Sequence, residues 1–150
     1  MKVQFLLIFV FGTATSLYAQ KMDSKDVPDP VKAGLQKTYA GKDVHWGKEG
    51  DNYEASFKQK GNEMSVVLDD SGNTVETEVE ISKTELPPPV LEVLKKDFAG
   101  YKIEEAAKIT ANNVVSYEAE VEKGEQSFEL IFDPQGKILK KEEEKEDKKD

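Results

Sequence analysis

The residue types that carry most enzyme chemistry are scarce in this chain of 150 residues, and those present are badly spaced for it. His45 is the only histidine and cysteine is absent, so neither a nucleophile–histidine pair built on cysteine nor a histidine-based zinc site can be assembled. No serine lies in a Gly-x-Ser-x-Gly elbow or a Ser-x-x-Lys pair. Carboxylates remain, but a glycosidase-type pair must face across a cleft, with one acid raised by burial. Here the glutamates alternate with other residues, as in Tyr53-Glu54-Ala55 and Val75-Glu76-Thr77-Glu78-Val79, and alternation along a strand points them outward. Asp69-Asp70-Ser71-Gly72-Asn73 offers oxygen atoms at short spacing, yet an EF-hand loop needs glycine at its sixth position and glutamate at its twelfth, whereas this glycine is the fourth residue. A hairpin turn explains the segment better. No catalysis, cofactor or dedicated metal site is expected.

If the alternating apolar residues face a core, the opposite sheet face carries Glu54, Ser56, Lys58, Ser65, Val67, Glu76, Glu78 and Glu80, continued by Glu118, Glu120, Glu122, Ser127, Glu129 and Ile131. Like charges on paired strands destabilise a sheet, so a face this acidic is a candidate for holding a cationic partner. A solvated face kept for solubility is the competing explanation. The candidate partner-binding residues are Trp46, Glu54, Val67, Glu76, Glu78, Glu118, Glu120, Glu129 and Ile131, with Trp46, Val67 and Ile131 as the apolar anchors that affinity requires. The formal charge of −9 supports a basic protein or peptide as partner. Arginine is absent, and an acidic chain repels a polyanion, so nucleic acid is not expected.

The elements that must position this face occur twice. Shifted by 59 residues, Val27-Pro28-Asp29-Pro30-Val31 lies over Leu86-Pro87-Pro88-Pro89-Val90, Leu35 over Leu94, Tyr39 over Phe98 and Ala40-Gly41 over Ala99-Gly100. Shifted by 64, Tyr53-Glu54-Ala55 lies over Tyr117-Glu118-Ala119, Met64, Val66 and Leu68 over Phe128, Leu130 and Phe132, and Asp69 and Gly72 over Asp133 and Gly136. The growth in offset implies an insertion in one connection of the second copy, and the loop after Ile109 is its expected place. Within each copy an apolar residue every fourth position predicts a helix entered by proline and closed by a left-handed glycine, Gly41 or Gly100. The period then becomes two, which predicts four antiparallel strands, with a first strand near Val44 to Lys48 matched by Ile103 to Ile109. Asp133-Pro134-Gln135-Gly136 has type I turn chemistry followed by a left-handed residue, and Asp69-Asp70-Ser71-Gly72 is its copy. Only Ser82-Lys83-Thr84-Glu85 separates the copies, too short for a flexible linker.

Residues 1–19 read as a cleaved secretory signal, since Lys2 precedes an apolar run, Val3 to Phe11, that is too short to span a bilayer. Cleavage after Ala19 removes one lysine and no acid, moving the formal charge from −9 to −10. The product is expected to be exported, periplasmic or secreted, without stable membrane insertion. From Lys140 onward the chain has no apolar residue, and a charged, frayed tail over 143–150 is expected.

Pro-x-Pro-Val entering a short helix, aromatic-Ala-Gly at its end, Tyr-Glu-Ala in an alternating strand and Asp-x-x-Gly before the last strand together resemble the PepSY-like, β-lactamase-inhibitor-like family of secreted bacterial proteins. The resemblance covers 27–142 in two copies, 27–81 and 86–142. It implies an α+β fold in which two helix-plus-four-strand repeats form one continuous curved antiparallel sheet with the helices on one face. It also implies a non-catalytic binding or inhibitory module, and it carries over no contact residues. Three function classes remain, in descending order: a secreted module binding a protein or peptide, an envelope stress or scaffold protein whose acidic face sequesters cations, and an enzyme with unrecognised carboxylate chemistry.

Overall fold

The computed structural model describes residues 21–144; residues 1–20, where the secretory signal is expected, and 145–150 lie outside the described residues. Eight strands form one antiparallel sheet in the order of the chain. They are β1 (His45–Glu49), β2 (Asn52–Gln59), β3 (Asn62–Leu68), β4 (Thr74–Glu80), β5 (Lys102–Ala111), β6 (Val114–Lys123), β7 (Gln126–Phe132) and β8 (Ile138–Glu144). Helix α1 (Asp29–Thr38) precedes β1, and α2 (Pro88–Asp97) lies between β4 and β5. Each helix has proline in its first turn, where the missing N–H would have no intrahelical partner. Each ends at an aromatic residue whose N–H returns to the chain, Tyr39 to Leu35 O at 2.8 Å and Phe98 to Leu94 O at 3.1 Å. Gly41 and Gly100 then take φ of +72° and +84°, a conformation that costs glycine nothing.

The two helices bury matching stripes. Val31 and Leu35 of α1 pack with Trp46, Ala55, Phe57, Met64, Val66 and Leu68, while Val90 and Leu94 of α2 pack with Phe98, Ala106, Ala119, Val121, Leu130 and Phe132. Both groups lie on the same sheet face, because Val66 pairs with Thr77, Thr77 with Thr110, and Ala106 shares a side of β5 with Thr110. The halves meet directly through the β4–β5 ladder, from Glu76↔Ala111 to Glu80↔Ala107. Between them Lys83–Glu85 forms a 3-10 turn capped by Ser82 in a capping box, in which Glu85 accepts from Ser82 N at 2.8 Å. A corresponding 3-10 turn, Ser24–Asp26, leads into α1.

Two ladder irregularities recur at matching places, Val67/Leu68 in β3–β4 and Ile131/Phe132 in β7–β8. Each precedes a turn organised by one aspartate. Asp69 Oδ1 accepts from Ser71 N at 3.0 Å and Asn73 N at 2.8 Å, and Asp133 Oδ1 accepts from Gln135 N and Lys137 N, both at 2.9 Å. The glycines of these turns sit against the first turns of the helices: a Cβ on Gly72 would lie 2.1 Å from Pro30 O, and one on Gly136 would lie 2.6 Å from Pro89 O. Gly34, inside α1, faces Gly72 from the other side, with its own hypothetical Cβ 2.0 Å from Gly72 O. Backbone therefore packs on backbone, and only glycine fits.

Three sequence expectations are corrected. The lengthening in the second half is not a loop after Ile109: that residue lies inside β5, and β5 joins β6 through Asn112-Asn113, both at positive φ (51° and 63°), as a two-residue hairpin requires. The extra residues lengthen both strands of this hairpin, β5 to 10 residues against 5 in β1 and β6 to 10 against 8 in β2. The charged tail does not begin as a frayed segment, because residues through Glu144 pair with β7, and Lys140 binds Glu129 and Glu142 at 3.1 and 3.2 Å. Trp46 belongs to the core beneath α1, as described next.

Candidate binding face

The register builds the face opposite the helices row by row. Glu54, Val67, Glu76 and Ala111 stand across β2–β5, followed by the row Ser56, Ser65, Glu78, Ile109 and Ser116 across β2–β6. Next come Glu80, Ala107, Glu118, Ile131 and Lys140 across β4–β8, and finally Glu105, Glu120, Glu129 and Glu142 across β5–β8. Glu54, Val67, Glu76, Glu78, Glu118, Glu120, Glu129 and Ile131 are thus brought onto one face. Trp46 is not: it stands opposite Ala55, on the helix side, is 8% exposed and packs with Val27, Val31 and Leu35. The face instead receives His45, opposite Ser56 and exposed.

Val67 and Ile131 do not project as anchors, being 5% and 1% exposed. Each occupies an inner strand with long side chains on both sides, Glu54 and Glu76 around Val67, Glu118 and Lys140 around Ile131. Ala107, Ile109 and Ser116 are buried in the same rows. Ala107 and Ile109 escape sequence reading because the register shift between Ile103 and Glu105 reverses the sidedness of β5, putting Ala106 under α2 and Ala107 on the opposite face, whereas Ser116 is in phase with Glu118 on β6. The adjacent pair Ala106-Ala107 was the available signal: two small residues in succession suit a strand covered on both faces.

Crowding of like charge around this apolar floor shapes its electrostatics. Burial, with Glu49 and Glu54 adding repulsion, pushes Glu76 up to about 7. Burial and the neighbouring Glu76 push Glu78 up to about 7, and burial and Glu78 push Glu118 up to about 9. Lys140 offsets part of the repulsion at Glu118 while it pairs with Glu129 and Glu142. A shallow depression of about 260 Å³ opens beside Ser56, Ser65, Glu78, Ala107 and Glu118.

Among the described residues no three His, Asp or Glu side chains converge to hold a metal ion. The Asp69 carboxylate is occupied by its own turn, and its pKa is lowered by hydrogen bonds from the Asn73 side chain and backbone and from Ser71. Among the described residues no helix is long and apolar enough to cross a membrane.

Comparison with known proteins places this fold. The family described as "Putative beta-lactamase-inhibitor-like, PepSY-like" matches residues 14–75 and 51–140. A DUF2874 family protein from Bacteroides uniformis is 22% identical, with a TM-score of 0.71 over 77% of this chain and 88% of that one. A chain described as "putative periplasmic proteins" from Bacteroides eggerthii is 19% identical, with a TM-score of 0.73 over 78% of this chain and 88% of that one. A BLIP-like protein from Bacteroides fragilis is 23% identical, with a TM-score of 0.64 over 77% and 85%. No curated protein matches. At these identities the solved structures share the fold, and the sequence match supplies the family: the chain belongs to the PepSY-like, β-lactamase-inhibitor-like family.

Proposed function

We propose that this chain is an exported, non-catalytic binding module that takes a basic protein or peptide on the sheet face away from its helices. The observation that carries this reading is the row structure of that face, where apolar Val67, Ile109 and Ile131 are bracketed by Glu54, Glu76, Glu78 and Glu118. The buried apolar floor fixes the carboxylates in place, and the carboxylates that stay ionised select and steer a cation. The family's inhibitor-like character and the fold shared with a BLIP-like protein support a binding role. The signal segment and the fold shared with the B. eggerthii chain support export to the periplasm or beyond.

The test uses the chain from Gln20 onward as bait on a periplasmic fraction, beside a variant with Glu54, Glu80 and Glu120 of the same face changed to lysine. A partner that associates more slowly with the variant, and with flattened salt dependence, supports the reading, because exposed charge acts on association and is screened within about 10 Å at 0.1 M salt. Equal association of parent and variant refutes it, with melting temperature as the folding control.

A further inference from the structure

The helix side of the sheet carries a second surface that the acidic face does not explain. Leu91 and Leu94 of α2, Phe98 at its end, Tyr101 beyond it, and Ile103 and Val121 of the sheet line an open groove of about 510 Å³, with Lys95 on its wall. Tyr101 stands edge-on to Phe98 at 5.7 Å, and both approach Phe128, at 5.8 and 6.3 Å. The Tyr101 hydroxyl donates to Gln126 Oε1 at 2.9 Å, so its polar end is held away and its ring remains as wall.

The fold does not require this groove. At the same offset of 59 the first half has Lys32, Gln36 and Lys42 where the second has Leu91, Lys95 and Tyr101, and α1 still packs through Val31 and Leu35. Leu91 and Tyr101 are left partly open where the first half carries lysine, and with the partly open Ile103 they mark a contact surface beyond the needs of the core. The rim has a sign opposite to that of the chain as a whole. Lys123 Nζ lies 5.6 Å from the centre of the Tyr101 ring, and Lys141 Nζ lies 5.1 Å from Phe98 and 4.1 Å from Phe128. With Lys95 they ring an apolar floor with ammonium groups, on a protein whose formal charge is −9.

We propose that this groove binds an apolar ligand ending in a carboxylate, of the medium-chain fatty acid class, with the chain on Leu91, Leu94, Phe98 and Ile103 and the head between Lys95 and Lys123. Removing the chain from water provides the affinity. The lysines choose the sign of the head, and the site lies on the face opposite the acidic rows, independent of them.

The experiment titrates dodecanoate, below its micellar concentration, into the 15N-labelled protein starting at Gln20, with dodecyltrimethylammonium as the probe of opposite charge. Saturable shifts confined to Leu91, Ala99, Gly100, Tyr101 and Ile103 are expected with dodecanoate, and at least tenfold weaker ones with the cation. Lys95→Gln with Lys123→Gln, both on exposed side chains, should weaken dodecanoate roughly tenfold, which corresponds to about 1.4 kcal/mol from two part-exposed ion pairs. Leu91→Lys, which installs the residue of the first half, should remove the saturable shifts while leaving the remaining spectrum in place. Equal affinity for both probes, shifts centred elsewhere, absence of saturation, or indifference to the lysine changes would each overturn the proposal.

Discussion

Gly72→Ala is the sharpest perturbation of the way this sheet holds its helices. The new Cβ would lie 2.1 Å from Pro30 O, where ordinary contact begins near 3.4 Å, so the turn and the first turn of α1 must separate by more than an ångström. Gly34 blocks relief by sliding, because its Cα already lies 3.4 Å from the same Cβ position. The backbone conformation adds its own cost: φ is +81°, which disfavours an L side chain by roughly 1–2 kcal/mol. Gly41→Ala separates the two effects, since φ there is +72° and nothing lies within 4 Å of its Cβ. Gly41→Ala should therefore lose about 1–2 kcal/mol, and Gly72→Ala should lose a further 1–3 kcal/mol, the usual cost of overpacking. Urea unfolding followed by Trp46 fluorescence reads both, because that ring is packed with Val31 and Leu35 of the displaced helix. Equal losses in the two variants would refute the seating of the turn on α1.

Phe98→Ala should destabilise the protein by roughly 3–5 kcal/mol, because the ring is 7% exposed and closes the core beneath α2; a loss under 1 kcal/mol in thermal or urea melts would contradict that role. Stability should also fall as pH rises from about 4.5 through 7 and onward to 9. Glu76, Glu78 and Glu118 hold their protons to higher pH in the folded state than an ordinary glutamate near 4.5 does in the unfolded chain, so the folded state binds more protons throughout that window. Replacing Glu78 and Glu118 by glutamine should flatten the fall, and denaturation midpoints unchanged between pH 5 and 9 would show that those carboxyls titrate normally.

Local chemistry made much of this fold legible. Proline before Val31 and Val90, glycine after Tyr39-Ala40 and Phe98-Ala99, and the aspartate-led turns each act within a few residues, and all take their expected forms. What stayed hidden depends on distant partners. The side taken by Trp46 is set by pairing with Ala55, since β1 is five residues long and Gly47 interrupts its alternation. The end of β8 reads as a tail because Lys140 to Glu144 lacks apolar residues; its pairing comes from the β7 ladder and from Lys140 bridging Glu129 and Glu142. Gly34 looks like a defect in a helix, where glycine costs about 1 kcal/mol relative to alanine, until Gly72 is found against it. Of the candidate face, the glutamates were readable from alternation alone, whereas its buried floor at Ala107 and Ile109 depended on the irregularity in β5.

The ladder between β4 and β5 has a consequence for how the chain avoids its neighbours in a crowded compartment. Unpaired strand edges invite other chains to add themselves, and two separate four-stranded units would present four of them. By pairing Glu76–Glu80 with Ala107–Ala111 the protein hides two edges inside itself. Of the remaining pair, β1 is short and bridged by Met22, while β8 is rich in lysine and glutamate. A chain cut between β4 and α2 would recover the sticky edges, and each fragment would be expected to find a mate through them, its twin or its former half, as a dimer or as the start of an aggregate.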